Sequence, residues 1–281
     1  MNRVDIRNLV ADLLDDYWKG TIAIPTIGTA GYTTITDTAL TQMDSEYWRD
    51  ADVTIAFVGG TYDTKRVLSY APTLSGQEGG VLRLQGTLSL VPSTTDSFYI
   101  YKRYKADTYN HAISSALLGL ARYAEVAHRS ETLVATTYLW EYTVPTASNI
   151  DRVLNLYYLD ADNYSKRVWL DKTVWNSWRE GGFTKIRLAS DSVIAEGNYI
   201  GIEGMGAPLD LVTDTQTLED EIPLDYVINR VAADLRKRDW QAADADAAAQ
   251  QVAFYMQTAQ QALARDKPFS RKGRMVRRIG G

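Results

Sequence analysis

Apolar residues recur at helical spacing near the start, in the middle and near the end of the chain. The first helix is predicted to end at Gly20. Its apolar face is formed by Leu9, Val10, Leu13, Leu14 and Tyr17. A second helix is predicted from about Asp107, its N-cap, to Val126. After Pro223 a long stretch without glycine or proline predicts two further helices with a break near Asp239.

Two other stretches, 52–103 and 131–218, consist of short apolar runs separated by turn residues. The first contains runs such as VTIAFVGG and SFYIYKRY, which are rich in β-branched and aromatic residues. In the second, β-type runs recur every 10 to 15 residues or so, which predicts a small antiparallel sandwich. A Thr- and Gly-rich connector precedes both stretches, and its residues 38–49 are compatible with a short helix.

The order of these elements predicts an α+β protein. In this prediction the N-terminal, central and C-terminal helices form one helical bundle, and two antiparallel β-units, one of them a small β-sandwich, are inserted between them. The segments are an N-terminal helix and connector (1–50), a first β-unit (51–104), a central helix (105–128), a β-sandwich domain (129–218), C-terminal helices (219–264) and a basic arm (265–281).

The composition narrows the classes of function. The chain has 281 residues and no cysteine, which excludes a disulfide framework, a thiolate zinc site and a cysteine nucleophile. No apolar run approaches the roughly 20 residues of a membrane span, and the acidic start is unlike a signal peptide. The 18 Tyr and 7 Trp suit surfaces that become buried on assembly, although aromatic residues are also favoured in β-sheets.

Charge is distributed unevenly. The chain carries −5 overall, whereas the residues from Arg265 onward carry +6 from seven basic residues and one acid, so the rest carries −11. Three interpretations fit this arm: a segment that docks on a neighbouring subunit, a solvated tail, or a nucleic-acid contact. The docking interpretation uses both its basic and its apolar residues. These residues are Arg265, Lys267, Phe269, Arg271, Lys272, Arg274, Met275, Arg277, Arg278 and Ile279.

Candidate metal ligands and acid–base residues are few. The two histidines, His111 and His128, are 17 positions apart on or just after the predicted central helix, so they do not share a helix face. The segment from Asp160 to Asp171 resembles a calcium loop. However, Tyr164 occupies a ligand position and the required glycine and glutamate are missing. We therefore expect no metal site.

Sequence motifs for catalysis are also lacking. Gly201, Gly204 and Gly206 have a spacing loosely like that of a dinucleotide loop, but they lie between β-type runs rather than before a helix. Neither GxSxG, a P-loop nor HExxH occurs. We expect no catalytic residues and no cofactor. Paired carboxylates are abundant, however, and a glycosidase needs only two of them in a cleft.

The stretch from Glu141 to Leu235 begins with EYTVP before the predicted sandwich, continues through GNYIGIEG and PLDLVTD, and then reaches the segment EIPLDYVINRVAADLRKR. The front half adds WRDADVTIAFVGGTYDTKRVLSY, a Tyr- and Gly-rich pattern. This layout of a β-domain that leads into an IPxxY helix, a further helix and a basic tail resembles the connector and adaptor proteins of tailed-bacteriophage virions.

The resemblance implies a virion structural protein at the head-to-tail junction, made in the host cytoplasm and without enzymatic activity. It implies a homo-oligomeric ring, a dodecamer to match the portal, that joins the portal protein to tail or neck proteins. It is compatible with tail-fibre attachment and with genome DNA passing through the ring, and it involves no membrane. By analogy, the basic arm is the portal-docking element.

Two other hypotheses come from the residues themselves. Trp169, Trp175 and Trp178 are close together in sequence, and exposed aromatic rings are platforms on which sugars stack. This favours a host-surface carbohydrate-binding or fibre-attachment protein. A glycosidase or depolymerase rests only on the abundance of carboxylates.

Overall fold

The computed structural model describes residues 1–22, 24–28, 31–40, 44–72, 80–121, 124–160, 163–190, 193–238, 245–265 and 270–271. Within these residues the protein is mostly β, with antiparallel sheets of seven, five and three strands and four α-helices. The prediction of a helical bundle with inserted β-units is therefore wrong. The chain divides into two compact units, which are described separately: unit 1 (Met1–Ala116, Leu211–Leu218 and Pro223–Arg265) and unit 2 (Leu117–Asp210, Glu219–Ile222 and Asp266–Gly281).

The helices are α1 (Arg3–Leu13), α2 (Ala106–Ala121), α3 (Leu224–Arg236) and α4 (Ala245–Arg265), and a 3-10 turn covers Thr146–Ser148. The strands of the seven-stranded sheet are β1 (Trp18–Thr21), β2 (Ile24–Gly28), β3 (Gly31–Asp37), β4 (Asp52–Ala56), β5 (Tyr62–Ala71), β6 (Gly80–Leu84) and β7 (Ser97–Tyr101). The other strands are β8 (Ala124–Val134), β9 (Glu141–Thr143), β10 (Arg152–Asp160), β11 (Asn163–Trp169), β12 (Trp175–Glu180), β13 (Phe183–Leu188), β14 (Tyr199–Gly206) and β15 (Ser270–Arg271).

The seven-stranded sheet of unit 1 has the order β1-β7-β4-β5-β6-β3-β2. Apolar residues on adjacent strands meet in its core, where Val53 and Ile55 on β4 are opposite Ile100 and Phe98 on β7, and all four are fully buried. The Thr- and Gly-rich connector contributes β2 and β3 to this sheet. Threonine is β-branched and favours strands, but these segments lack the alternation of apolar and polar residues from which a strand is predicted. Residues 45–49, part of the suggested short helix, form turns instead.

Helix α1 packs against this sheet, which is why it does not belong to an isolated bundle. The guanidinium of Arg7 is completely buried and donates to the hydroxyls of Tyr101 on β7 and Thr54 on β4, at 3.1 and 3.0 Å. A further bond of 3.2 Å reaches Asn110 on α2. Asn2 and the N3 residue Asp5 form a capping box at the start of the helix. The predicted end at Gly20 is wrong, because the helix ends at Leu13 and Trp18–Thr21 pairs with β7 as strand β1.

The predicted central helix is too long at its C-terminal end. It ends at Ala121, and Ala124–Val134 is strand β8, in which buried and accessible residues alternate from Ala124 to Ser130. Small and apolar residues at Ala124 and Val126 fit either a helix stripe or a strand face, so the sequence did not discriminate. At the other end Asp107 lies in the first turn of the helix rather than at its N-cap.

Unit 2 contains a five-stranded sheet in the order β11-β10-β14-β8-β15 and a three-stranded sheet in the order β12-β13-β9. The two sheets share one core. Buried members from the larger sheet include Leu156 and Ile202, and those from the smaller sheet include Trp175, Ile186 and Leu188. The opposite face of each sheet therefore carries the polar residues that are available for contacts.

The three glycines of the GIEGMG stretch lie in β14, where they allow close packing. A Cβ on Gly201 would lie 2.1 Å from the Tyr157 ring, and one on Gly206 would lie 1.6 Å from the carbonyl oxygen of Asn149. Their spacing thus reflects neighbours on β10 and the Thr146–Ser148 turn, not a phosphate-binding loop.

Candidate functional site

The first candidate surface is the edge of β8, on which a piece of the basic arm adds a strand. The backbone of Ser270 pairs with Glu125 and that of Arg271 with Ala124, antiparallel, and these two residues form β15. Main-chain pairing at a sheet edge is a common way for an extended segment to bind, because it needs only free N–H and C=O groups.

Of the other residues predicted for the basic arm, the structure describes Arg265. Arg265 is the last residue of α4, and its guanidinium is 2.9 Å from the carboxylate of Asp225 on α3. Lys267, Phe269, Lys272, Arg274, Met275, Arg277, Arg278 and Ile279 lie outside the described residues. The structure therefore brings Ser270 and Arg271 to the β8 edge, whereas Arg265 is attached to the helical part of unit 1.

A second candidate surface is the loop at residues 138–140, which joins β8 to β9. Tyr138 is 83% exposed, Leu139 43% and Trp140 51%. The loop is nevertheless held at its base: the hydroxyl of Tyr142 donates to the carbonyl of Leu139 at 2.8 Å, and the amide of Leu188 donates to that of Trp140 at 2.8 Å. An ordered loop that presents adjacent apolar side chains is typical of an interaction site.

The sequence did not separate this loop from its neighbours. The run TLVATTYLWEYTVP predicts continuous β-structure, because its aromatic and β-branched residues follow one another with no glycine or proline before the final Pro145. In the structure Tyr138 adopts a left-handed backbone (φ +64°) and interrupts the run. A positive φ is uncommon for tyrosine, and composition alone gives no signal for it.

The three tryptophans that are close in sequence do not form one platform. Trp175 belongs to the core of unit 2. Trp169 is 52% exposed on β11, and its ring centroid is 4.8 Å from that of Tyr157. Trp178 lies on the outer face of the three-stranded sheet, beside the guanidinium of Arg187 at 5.5 Å from the ring centroid.

Trp178 forms part of an open depression of about 550 Å³ on the outer face of that sheet. The residues that line it are Glu141, Asn176, Trp178, Glu180, Lys185 and Arg187. Their charges are paired across the strands. The ammonium of Lys185 is 2.7 Å from the carboxylate of Glu180 and 3.3 Å from that of Glu141, and Arg187 is 3.1 Å from Glu141.

These pairs keep the carboxyl groups of the depression ionised. Hydrogen bonds from Arg187 and Lys185 lower the pKa of Glu141, and a hydrogen bond from Lys185 lowers that of Glu180. The hydrogen bonds that Lys185 donates to Glu180 and Glu141 raise its own pKa above the ordinary value. The depression therefore carries two negative and two positive charges that balance at neutral pH.

The two histidines have different surroundings. His111 is exposed on α2, whereas His128 is buried on β8, with Nε2 2.7 Å from the carbonyl of Ala207 and Nδ1 3.1 Å from the carboxylate of Glu219. Burial raises the pKa of Glu219. This contact fastens the Glu219–Ile222 segment within unit 2, so a structural role accounts for it. Within the described ranges no group of three or more acidic, His or Cys residues could hold a metal ion.

The acidic clusters have local structural roles as well. Asp16 is buried and accepts four hydrogen bonds, and Asp52 accepts a hydrogen bond from the amide of Ala106 at 2.8 Å. Asp171 accepts from the amide of Thr173 in the turn before β12, and residues 161–162 of the calcium-like segment lie outside the described part of the chain. None of these contacts forms the cleft with two facing carboxylates that a glycosidase needs.

No protein-family model matches the chain, and no curated protein matches it. Among the described residues no helix is long and apolar enough to cross a membrane.

Proposed function

We propose that this protein is a structural subunit of a tailed-phage particle, an adaptor that assembles into a ring and joins the portal to the tail. The observation that carries the proposal is the addition of Ser270–Arg271 to the edge of β8. It supports an arm that binds by strand addition, so the same edge can accept the arm of a neighbouring copy. The arm then links one subunit to the next or to the portal.

Two further features support assembly as the activity. The 138–140 loop offers three exposed apolar side chains on an ordered backbone, which favours burial against another protein. The charge difference between an acidic body and a basic arm favours the approach of an arm to the body of another copy. The assignment to the head-to-tail junction rests on the resemblance of the sequence layout to virion adaptors.

Removal of the arm tests the assembly half of this proposal. A variant that ends at Arg265 keeps α4 and its contact with Asp225, so we expect an unchanged circular dichroism spectrum. The full chain should form rings in negative-stain electron microscopy and a discrete oligomer in mass photometry, whereas the truncated chain should remain monomeric. A full chain that stays monomeric at every concentration, or a truncated chain that still forms rings, would overturn the proposal.

A substitution within β15 tests the mechanism of docking. Ser270→Pro removes the main-chain N–H and conflicts with a paired strand, while it leaves the charge of the arm unchanged. We expect it to prevent ring formation, and the matched variant Ser270→Ala to assemble as the unaltered chain does. Equal assembly of both variants would show that the arm binds by charge rather than by strand addition.

The location of the protein in the particle is tested by a separate experiment. Antibody labelling or cryo-electron microscopy of particles that contain the protein should locate it between the capsid and the tail. Its location on the tail tip or on fibres would instead favour a host-recognition protein.

A further inference from the structure

The outer face of the three-stranded sheet presents an aromatic ring among hydrogen-bonding groups. In the register of β12, β13 and β9, Trp178 is opposite Lys185, which is opposite Thr143. The neighbouring row consists of Asn176, Arg187 and Glu141, and the next contains Glu180 and Phe183. Phe183, 47% exposed, is diagonal to Trp178 on the same face, whereas Trp178 is the aromatic residue that lines the depression.

The indole of Trp178 is held in place rather than free to rotate. The Arg187 guanidinium lies over its ring at 5.5 Å from the centroid and is in turn fixed by Glu141 at 3.1 Å. Lys185, directly across the strand pair from Trp178, is fixed by carboxylates on two different strands. A pre-organised site loses less conformational entropy when a ligand binds.

The charges of the depression discriminate between classes of ligand. Two carboxylates and two cations form a balanced network, so neither a phosphate nor a polycation gains a net electrostatic attraction. Breaking one of these pairs to bind an ion would also leave its partner unpaired. An uncharged ligand with many hydroxyls can instead donate to the carboxylates and accept from Asn176, Lys185 and Arg187 without disrupting them.

We propose that this depression binds an uncharged oligosaccharide. A sugar ring stacks on the face of Trp178 that Arg187 does not cover, and its hydroxyls bond to Asn176 and to the carboxylates of Glu141 and Glu180. The cavity of about 550 Å³ lies within the range of small-molecule sites and has room for a few sugar rings. This inference does not depend on the adaptor function. A ring subunit that exposes such a face would contact glycans at the surface of the particle or of the host in addition to its neighbours in the ring.

Binding is tested on the full chain with an array of oligosaccharides that includes neutral glucans and chitin oligomers next to sialylated and sulfated ones. We expect binding to neutral members only. Trp178→Ala should weaken that binding at least tenfold, whereas Trp178→Phe, which keeps a ring, should retain part of it. The matched control is Trp169→Ala, which removes an exposed tryptophan on the other sheet of the same unit.

A second measurement uses the unaltered chain, because unfolding of the Trp178→Ala variant would also abolish binding. In the unaltered chain, titration with the neutral oligosaccharide identified on the array should shift the indole N–H resonance of Trp178 and leave that of Trp169 in place. Silence across the neutral glycans, binding confined to acidic glycans, or equal losses in Trp178→Ala and Trp169→Ala would each overturn the proposal. None of these results depends on whether the truncated chain forms rings, so the two proposals fail separately.

Discussion

At the scale of single residues, Asp16 is the buried carboxylate with the most bonds to one turn. It accepts from the backbone amides of Lys102, Arg103 and Tyr104 and from the hydroxyl of Tyr109, and it is only 4% exposed. It thereby closes the turn between β7 and α2. Burial, together with the charge of Asp16, raises the pKa of Tyr109, so this phenol remains a donor.

Replacement of Asp16 by alanine should destabilise unit 1 by about 3 kcal/mol, because four donors, two of them buried and two part-buried, lose their acceptor. Chemical denaturation followed by circular dichroism measures the loss. Asp15→Asn is the control: Asp15 is exposed, and asparagine tolerates its left-handed φ of +55°. A loss of similar size in both variants would contradict the structural role of Asp16.

Tyr157 makes the stability of unit 2 sensitive to alkaline pH. Burial, followed by its hydrogen bond to Glu131, raises the pKa of Tyr157 to about 12. The folded state therefore holds this proton more tightly than the unfolded state, whose tyrosines titrate near 10. The stabilising contribution is complete below pH 10 and is lost as the pH rises from 10 through 12. Tyr157→Phe should make the decline in unfolding free energy over this interval less steep, and an unchanged slope would contradict the assignment.

At the scale of elements, an irregular segment is bound to α1 through one carboxylate. Asp214, in the Leu211–Leu218 segment, lies 2.7 Å from Arg3 and 3.7 Å from the completely buried Arg7. Backbone bonds from Arg3 to Gln216 and from Leu218 to Met1 flank this contact. The segment is therefore held by charge pairing in addition to the burial of Leu211 and Leu218.

Asp214→Ala should destabilise the protein by about 3 kcal/mol, because the guanidinium of Arg7 remains buried with neutral acceptors alone. Hydrogen exchange should show faster exchange of the amides of Arg3 and Leu218, which are bonded to the same contact region. Asp210→Ala removes an exposed carboxylate nearby in sequence and serves as the control. Unchanged exchange in Asp214→Ala would show that the flanking backbone bonds suffice.

At the scale of the whole molecule, the chain combines two compact units with separate cores. The buried cluster shared by the two sheets of unit 2 lies between Leu133 and Ile202, within the longest continuous piece of that unit. A continuous piece with its own core can fold without the remainder.

We therefore expect a fragment of residues 124–210 to fold on its own. It keeps both sheets of unit 2 except β15, but it loses the contact of His128 with Glu219, so its free energy of unfolding should be lower than that of the same unit in the full chain. Cooperative thermal unfolding and dispersed amide resonances would support this expectation. A fragment with the spectrum of an unfolded chain would contradict the division into units.

The sequence by itself placed helices near the start, the middle and the end, because apolar spacing and residues such as Pro223 act locally. It also gave many of the strands, whose β-branched and aromatic runs are local signals too. It did not determine that α1 packs on a sheet, that Ala124 belongs to a strand, or that the connector completes a seven-stranded sheet. Those outcomes depend on contacts between residues far apart in sequence.

The candidate sites also differ in how far the sequence predicted them. The basic arm follows from charge along the chain and remains a prediction for most of its residues. The sequence singled out Trp178 as one of three candidate tryptophans, but it predicted neither the exposed loop at Tyr138 nor the depression around Trp178. The loop contains a positive φ that the sequence does not signal, and the depression is assembled by the register of three strands. Sequence thus determined where apolar and charged residues occur, and tertiary structure alone decided which of them face solvent together, because strand pairing joins positions that no local pattern relates.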